Sequence, residues 1–274
     1  MIRPKAFEQF TDRIADSLPF VRSVSSAFQE IVVPSLCIEC GKTASNGWCC
    51  EKCLNCIRFT QSDWCPVCAL PSDQYHSPDC PHGSSPTKSL RKSDVSSIPW
   101  LECRTLGAYH EGLRRACLSG KNSAGTWVTK HLVEMWWGYH QSWAEQIGPC
   151  LIVPIPRHWS RQWISGNDPA DSIAQLLGQY WASSGGQYCH ALYRKKPTPR
   201  LSGLNTDDRQ KMMTEIFGLS RKWESQIRNK TSAVIVDDIY TTGATARSAA
   251  LALLAAGSER IFFASLARTL ENEI

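Results

Sequence analysis

Three short runs of apolar residues in the second half of the chain predict buried strands. They span Leu151–Pro156, Ala233–Val236 and Ile261–Leu266. Continuous apolar runs of four to eight residues, without polar alternation, are typical of strands buried on both faces of a sheet. A further strand is expected at Leu101–Tyr109.

Between these runs, apolar residues recur every three or four positions, which is the helical period. Helices are predicted at Asp171–Tyr180 and at Ala246–Ala256, the latter stopped by Gly257. One more helix face comprises Val128, Leu132, Met135, Trp136, Tyr139 and Trp143. Alternating strands and helices predict an α/β fold, with a parallel sheet flanked by helices on both faces.

Composition divides the 274 residues into four parts. Residues 1–36 carry apolar positions at helical spacing over 6–33, interrupted near Pro19, and predict an N-terminal helical segment. Residues 37–82 form a Cys-rich module, and the Ser-rich stretch 83–99 is predicted to be a linker. The α/β domain then occupies residues 100–274.

Charge and hydropathy exclude few partners but make a membrane protein unexpected. The net charge of +5 is compatible with anionic partners and does not demand nucleic acid. No run of 18 apolar residues is present, and the first 19 residues contain no apolar core of a signal peptide. We therefore expect a cytoplasmic protein without membrane insertion.

Cysteine is unevenly distributed, with nine of the 13 residues between Cys37 and Cys80. Pairs separated by two residues can direct both sulfurs at one tetrahedral ion, and soft thiolates favour zinc. An odd total without an export signal argues against a disulfide framework. The scattered cysteines are interpreted as small buried apolar residues: Cys103, Cys117, Cys150 and Cys189.

Two structural zinc sites are the simplest partition of the clustered ligands. Chain order assigns Cys37, Cys40, Cys50 and Cys53 to the first site. The second site would take Cys65, Cys68 and Cys80, with His82 or His76 as its fourth ligand. Cys49 and Cys56 compete as ligands, and an interleaved pairing is equally compatible with the spacing.

The segment Val234–Thr245 (VIVDDIYTTGAT) carries the strongest indication of chemistry. A buried strand presents Asp237 and Asp238 at its carboxyl end, where parallel sheets bind ligands. The loop that follows opens directly into a helix, whose N-terminal amides attract anions. Its residues are Thr241, Thr242, Gly243, Ala244 and Thr245. A phosphate on the loop and a polyol on the carboxylates together describe a sugar phosphate.

This segment resembles the phosphoribosyl-pyrophosphate signature of type I phosphoribosyltransferases. Together with the Cys-rich module, it resembles the ComF family of competence-associated, phosphoribosyltransferase-like proteins. Similarity to that family extends over roughly residues 32–268, including the Val153–Pro156 loop followed by Arg161, and the arginine-rich stretch that contains Arg209. The resemblance implies that the acidic pair holds the ribose hydroxyls and that the loop holds the 5′-phosphate, with Arg161 and Arg209 as further ligand-binding residues.

The sequence departs from the family pattern beside this site. Where the family continues into an Arg-Gly-Phe-Asn run, this chain has Ser165-Gly166-Asn167-Asp168. The missing arginine leaves the polyanion side of the site short of one positive charge. Our hypothesis is that Arg157 or Arg161 supplies it.

The resemblance implies binding of phosphoribosyl pyrophosphate with Mg²⁺, and a phosphoribosyltransferase reaction whose acceptor the sequence does not name. It also implies a role in DNA uptake and natural transformation. The alternative hypothesis is a non-catalytic adaptor that binds single-stranded DNA or a competence helicase.

Overall fold

The fold was obtained as a computed structural model, which describes residues 36–44, 48–74, 80, 98–121, 125–157, 168–195, 216–229 and 232–270. The predicted helix over 6–33 and the predicted linker up to residue 97 lie outside these ranges.

Helices and strands alternate through the second half of the described chain. The helices are α1 (Glu51–Leu54), α2 (Glu111–Ser119), α3 (Thr126–Ile147), α4 (Pro169–Trp181), α5 (Glu224–Asn229) and α6 (Ala244–Ala255). The strands are β1 (Glu102–Ala108), β2 (Cys150–Pro154), β3 (Gly186–Tyr188), β4 (Leu192–Arg194), β5 (Phe217–Leu219), β6 (Ser232–Tyr240) and β7 (Arg260–Arg268).

Five of these strands form one parallel sheet in the order β1-β7-β6-β2-β3. Strands β2, β6 and β7 are apolar and buried over most of their length, because helices pack against the sheet. Helix α4 packs against β2, β3 and β6, while α6 packs against β6 and β7. The predicted α/β class, with a parallel sheet flanked by helices, is confirmed.

The strands and helices predicted from residue 100 onward are all found, with ends that differ by a few residues. The run at Ala233–Val236 is only the start of the longer strand β6. Strands β4 and β5 form a separate antiparallel pair that was not predicted. Both are three residues long, too short to show a period of two.

The face of α3 predicted from its periodicity is buried, with the exception of Tyr139, which is 39% exposed. Trp136 and Trp143 stack edge to face and pack between the helix and the sheet, where Trp143 also contacts Phe262 of β7. Aromatic side chains therefore supply much of the apolar area between α3 and the sheet.

The chain divides into two compact units, with the division after Cys56. The first six clustered cysteines belong to the first unit, and Cys65, Cys68 and Cys80 belong to the second, together with the sheet. The predicted domain limits at residues 36, 82 and 99 stay predictions. Among the described helices, none is both long and apolar enough to span a membrane.

Candidate functional site

The carboxyl end of β6 presents two adjacent acidic side chains. Asp238 is buried, and its backbone N–H donates to Asp237 Oδ1 at 2.9 Å. The next amide, of Ile239, donates to Asp238 Oδ1 at 3.1 Å. Burial raises the pKa of Asp237 well above its usual range, and the charge of Asp238 raises that pKa further. Without a ligand, the protonated form of Asp237 is therefore favoured beside Asp238.

Two basic side chains converge on Asp238. Arg157 Nη2 lies 2.9 Å from Asp238 Oδ2, and Lys121 Nζ lies 3.4 Å from the same oxygen. The sheet register explains the first contact, since Pro154 pairs with Val236 and places both chain ends at one edge. Lys121 follows the end of α2. The edge thus holds one buried carboxylate between two partly buried cations.

Sequence patterns indicate only one of these two cations. Arg157 was a hypothetical substitute for the missing arginine, and Lys121 had no predicted role at the acidic pair. The signal for Arg157 was its position directly after an apolar strand, at the edge where β6 ends. No local pattern indicates Lys121, because its contact with Asp238 depends on how α2 packs.

The predicted phosphate loop joins β6 directly to α6. Thr241 and Thr242 are exposed, and Thr242 Oγ1 lies 3.4 Å from the amide nitrogen of Ala244. Gly243 precedes the helix with φ of +77°, a conformation that favours glycine. A methyl group there would lie 2.9 Å from Tyr240 Cε2. Thr245 lies in the first turn of α6, where helix amides and the dipole attract anions.

A buried arginine supports the start of this loop. Arg268 ends β7 and pairs in register with Tyr240, at the end of β6. Its Nη1 donates to the carbonyls of Tyr240, at 3.1 Å, and of Thr241. The guanidinium also lies over the Tyr240 ring, 4.1 Å from its centroid. Buried charge requires such partners, so the loop's first carbonyls are held in place by this side chain.

Asp168, from the altered family run, contacts Arg157. The backbone N–H of Arg157 donates to Asp168 Oδ2 at 3.4 Å, and Arg157 Nε lies 3.9 Å from Asp168 Oδ1. Asp168 also precedes the first residue of α4. The departure therefore places an acid where it orients Arg157. Arg161 and Arg209, predicted as ligand-binding residues, lie outside the described residues.

Four cysteines of the first unit form one cluster. The sulfurs of Cys37, Cys40, Cys50 and Cys53 all lie within 4.8 Å of one another. The grouping is the one that chain order predicts, and a cluster of this kind could hold a metal ion. Cys49 Sγ lies 3.9 Å from Cys37 Sγ, so it is a close neighbour of the cluster.

Three cysteines of the second unit form another cluster. The sulfurs of Cys65, Cys68 and Cys80 lie within 4.8 Å of one another, and all three residues are buried. The candidate fourth ligands, His82 and His76, lie outside the described residues. Three convergent thiols leave one position of a tetrahedral ion for a further ligand.

The remaining cysteines, Cys56 and the four scattered ones, lie outside both clusters. The thiol of Cys56 donates to the backbone carbonyl of Lys52, at 3.4 Å, and Cys56 is exposed outside either cluster. The four scattered cysteines are buried, as predicted. Burial raises the pKa of Cys103 to about 12, so its thiol stays protonated near neutral pH.

These features define a class: an α/β protein with a candidate anion-binding loop beside a paired-acid strand end, and two cysteine clusters. Comparison with known sequences extends this description. The chain is 27% identical over 251 residues to DNA utilization protein YhgH of Escherichia coli (strain K12), covering 88% of this chain and all of that protein. It is 32% identical over 121 residues to Competence protein F of Haemophilus influenzae, covering 44% of this chain and 51% of that protein.

The similarity to YhgH extends to Shigella flexneri, at 26% identity over 251 residues. No family model matches the chain. These similarities, at modest identity, agree with the resemblance of the sequence to the ComF family.

Proposed function

We propose that the carboxyl edge of the sheet binds phosphoribosyl pyrophosphate with Mg²⁺, in a protein that serves DNA uptake or utilization. The observation that carries the proposal is the juxtaposition of Asp237 and Asp238 with the loop Thr241–Thr245. The loop and helix amides would take the 5′-phosphate. The carboxylates, at the end of the strand that leads into the loop, would bind the ribose hydroxyls.

Arg157 and Lys121 would bind the diphosphate group in this proposal. Both already bring positive charge to Asp238, within 3.4 Å of one of its oxygens. A diphosphate carries more negative charge than one carboxylate, and its oxygens likewise accept charge-assisted, bidentate hydrogen bonds from a guanidinium. Carboxylate and phosphate oxygens are the ligands that Mg²⁺ prefers, so an ion that accompanies the ligand suits this edge.

A phosphoribosyl transfer at this site would break the bond between ribose C1 and the diphosphate, and an acceptor nucleophile would form the new bond. Asp237 and Asp238 would orient the ribose and stabilise the positive charge that develops on it. Arg157 and Lys121 would stabilise the departing diphosphate. Transferase activity is thus a further step of the proposal, beyond ligand binding.

Calorimetric titration of the zinc-loaded full chain tests the binding proposal. Phosphoribosyl pyrophosphate with Mg²⁺ should bind the wild type, and the Asp237→Asn/Asp238→Asn double variant should lose that binding. Glu145→Gln is the matched control, because it removes one carboxylate charge from the exposed surface of α3. A folded wild type that releases no heat over the titration would overturn the proposal.

The names of the relatives favour a DNA-related role for this chain as well. A non-catalytic adaptor for single-stranded DNA or for a competence helicase is the second candidate function. Fluorescence anisotropy with labelled single-stranded DNA tests it, at several salt concentrations. Phosphate contacts predict affinity that falls steeply with salt. Anisotropy that stays at the value of free DNA would remove the DNA-binding form of this candidate.

A further inference from the structure

The second cysteine cluster lies against the phosphate loop through two side chains. Arg268 Nε donates to the carbonyl of Cys68 at 2.9 Å, and its Nη1 donates to the carbonyls of Tyr240 and Thr241. One buried guanidinium thus connects a cluster cysteine to the first residue of the loop. Arg268 is 8% exposed, so water cannot readily replace a lost carbonyl partner.

Trp100 forms the second connection. Its indole N–H donates to the carbonyl of Val67, between the two cysteines of the turn, at 2.8 Å. At the other end of the ring, Cη2 would lie 3.3 Å from a methyl group on Gly243. The ring also meets Tyr240 edge to face, with centroids 5.8 Å apart. Trp100 therefore fills the space between the cysteine turn and the glycine of the loop.

We propose that Arg268 and Trp100 couple the Cys65–Cys68–Cys80 cluster to the loop Thr241–Thr245, so that zinc binding at the cluster strengthens phosphate binding at the loop. The proposal rests on the proposed function for its ligand. Zinc ties Cys80 to the Cys65–Cys68 turn and orients the carbonyl of Cys68. Arg268, a positioning residue, then holds the carbonyls of Tyr240 and Thr241, which leaves the loop amides free to face an anion.

Without zinc, the turn keeps its backbone hydrogen bonds and the bond from Trp100, but no metal ties it to Cys80 or fixes the carbonyl of Cys68. Arg268 then loses a fixed acceptor while it stays buried, and its remaining acceptors are the carbonyls of Tyr240, Thr241 and Thr269. The loop is thereby drawn out of the conformation that binds phosphate. Linkage requires the converse, namely that phosphate at the loop increases zinc affinity at the cluster by the same factor.

Substitution of one cluster ligand in the full chain tests the coupling, with ribose 5-phosphate as the probe. Cys80→Ser should weaken binding of the probe by a factor in the range of roughly 5 to 150 that is typical of coupled sites. Cys56→Ser is the matched control, because this exposed cysteine lies outside both clusters. In the wild type, the probe should raise zinc affinity by the factor that Cys80→Ser costs in probe affinity.

The Arg268→Met variant tests whether Arg268 transmits the coupling between the cluster and the loop. It keeps an unbranched apolar side chain at this buried position, but it is shorter and removes the donors together with the guanidinium over Tyr240. The variant should retain two zinc ions, measured by native mass spectrometry, and should bind the probe more weakly. In the double variant Cys80→Ser/Arg268→Met, the two losses should not add, because both break the same connection. Additive losses would overturn the proposal.

Hydrogen exchange separates the failure of the coupling from the failure of the proposed function. Cys80→Ser should increase exchange at the amides of residues 243–246 while exchange within β6 and β7 stays unchanged. If the wild type binds neither the probe nor phosphoribosyl pyrophosphate but this local increase occurs, the proposed function fails and the connection between cluster and loop stands. If the wild type binds the probe and Cys80→Ser changes neither affinity nor exchange, the coupling is overturned. If Cys80→Ser does not fold, zinc-loaded Arg268→Met decides by the same two readouts.

Discussion

The two cysteine turns, at Cys37–Cys40 and Cys65–Cys68, have the same backbone conformation but differ in burial. In the first, Cys37 N–H donates to Lys42 O at 2.7 Å and Gly41 N–H donates to Cys37 O at 2.8 Å. In the second, Cys65 N–H donates to Leu70 O at 2.8 Å and Ala69 N–H donates to Cys65 O at 2.9 Å. Each turn is closed by an isolated antiparallel bridge, Leu36 with Thr43 and Trp64 with Pro71.

The residue after the second cysteine of each turn has positive φ, +71° at Gly41 and +53° at Ala69. A methyl group on Gly41 would contact nothing within 4 Å, whereas Ala69 is 2% exposed. Positive φ costs an L-residue about 1–2 kcal/mol. Burial of one methyl group returns about 0.8 kcal/mol. Alanine is therefore tolerated where its side chain is buried, and glycine stands where burial offers no compensation.

The largest difference between the turns should appear when a cluster ligand is removed. Cys68→Ser should lower the free energy of unfolding by more than about 4 kcal/mol, the range of metal-site loss. Cys68 is buried and its carbonyl holds Arg268, whereas Cys40 is exposed. Cys40→Ser should therefore cost less. Thermal and urea unfolding of the zinc-loaded variants measure this, with Cys56→Ser as the control. Equal losses of unfolding free energy in the two variants would contradict this difference between the turns.

Removal of metal should proceed at two rates. Cys40 is exposed, and Cys50 and Cys53 are half-buried, while every cysteine of the second cluster is buried. A chelator should therefore take zinc from the first cluster rapidly and from the second slowly. Stopped-flow absorbance with a colorimetric chelator measures release, and mass spectrometry after alkylation identifies the thiols freed in each phase. A single phase that frees both sets together would contradict the prediction.

The next effect concerns the support of the second turn alone. Trp100→Phe removes the indole donor to Val67 O and leaves this carbonyl without that bond. Val67 is half-buried, so its unsatisfied carbonyl costs about 1–2 kcal/mol, the lower part of the range for buried acceptors. The free energy of unfolding should fall by that amount, with zinc stoichiometry retained, as judged by urea unfolding and native mass spectrometry. Trp127→Phe, at an exposed indole on α3, is the control and should change little.

The smallest effects should follow from exchanging the residues at positive φ. Gly41→Ala should weaken zinc binding at the first cluster by about 1–2 kcal/mol, because the strain has no compensating contact. Ala69→Gly should change the second cluster by less than about 0.5 kcal/mol, since relieved strain and lost burial oppose each other. Competition with a chelator measures both. A large loss in Ala69→Gly would show that packing, not backbone strain, dominates the second turn.

Much of the fold was predictable because its signals are local. The buried strands and the helices α3, α4 and α6 follow from apolar periodicity, and the predicted grouping of the four first-unit cysteines follows from chain order. The short pair β4–β5 escaped prediction because three residues carry no usable period. The acidic pair and the loop were expected to meet, since they are neighbours along one strand–turn–helix segment.

Contacts between distant segments escaped prediction for a different reason. Arg157 meets Asp238 across 81 positions, and Arg268 meets Cys68 across 200. Neither contact has a spacing that a sequence pattern could reveal. The first depends on strand order, because β2 lies beside β6 and Arg157 reaches the end of β6. The second depends on how the cysteine turn packs against the end of β7.

Covalent spacing alone dictates the cysteine pairs, the adjacent acids and the glycine loop, because no more than two intervening residues separate those groups in any fold. Tertiary structure alone decided which cations contact Asp238 and how the second cysteine turn supports the loop Thr241–Thr245. Burial is the physical reason for this division. A charge such as Arg268 is stable in the interior only where the packed sheet brings carbonyls from separate segments around it.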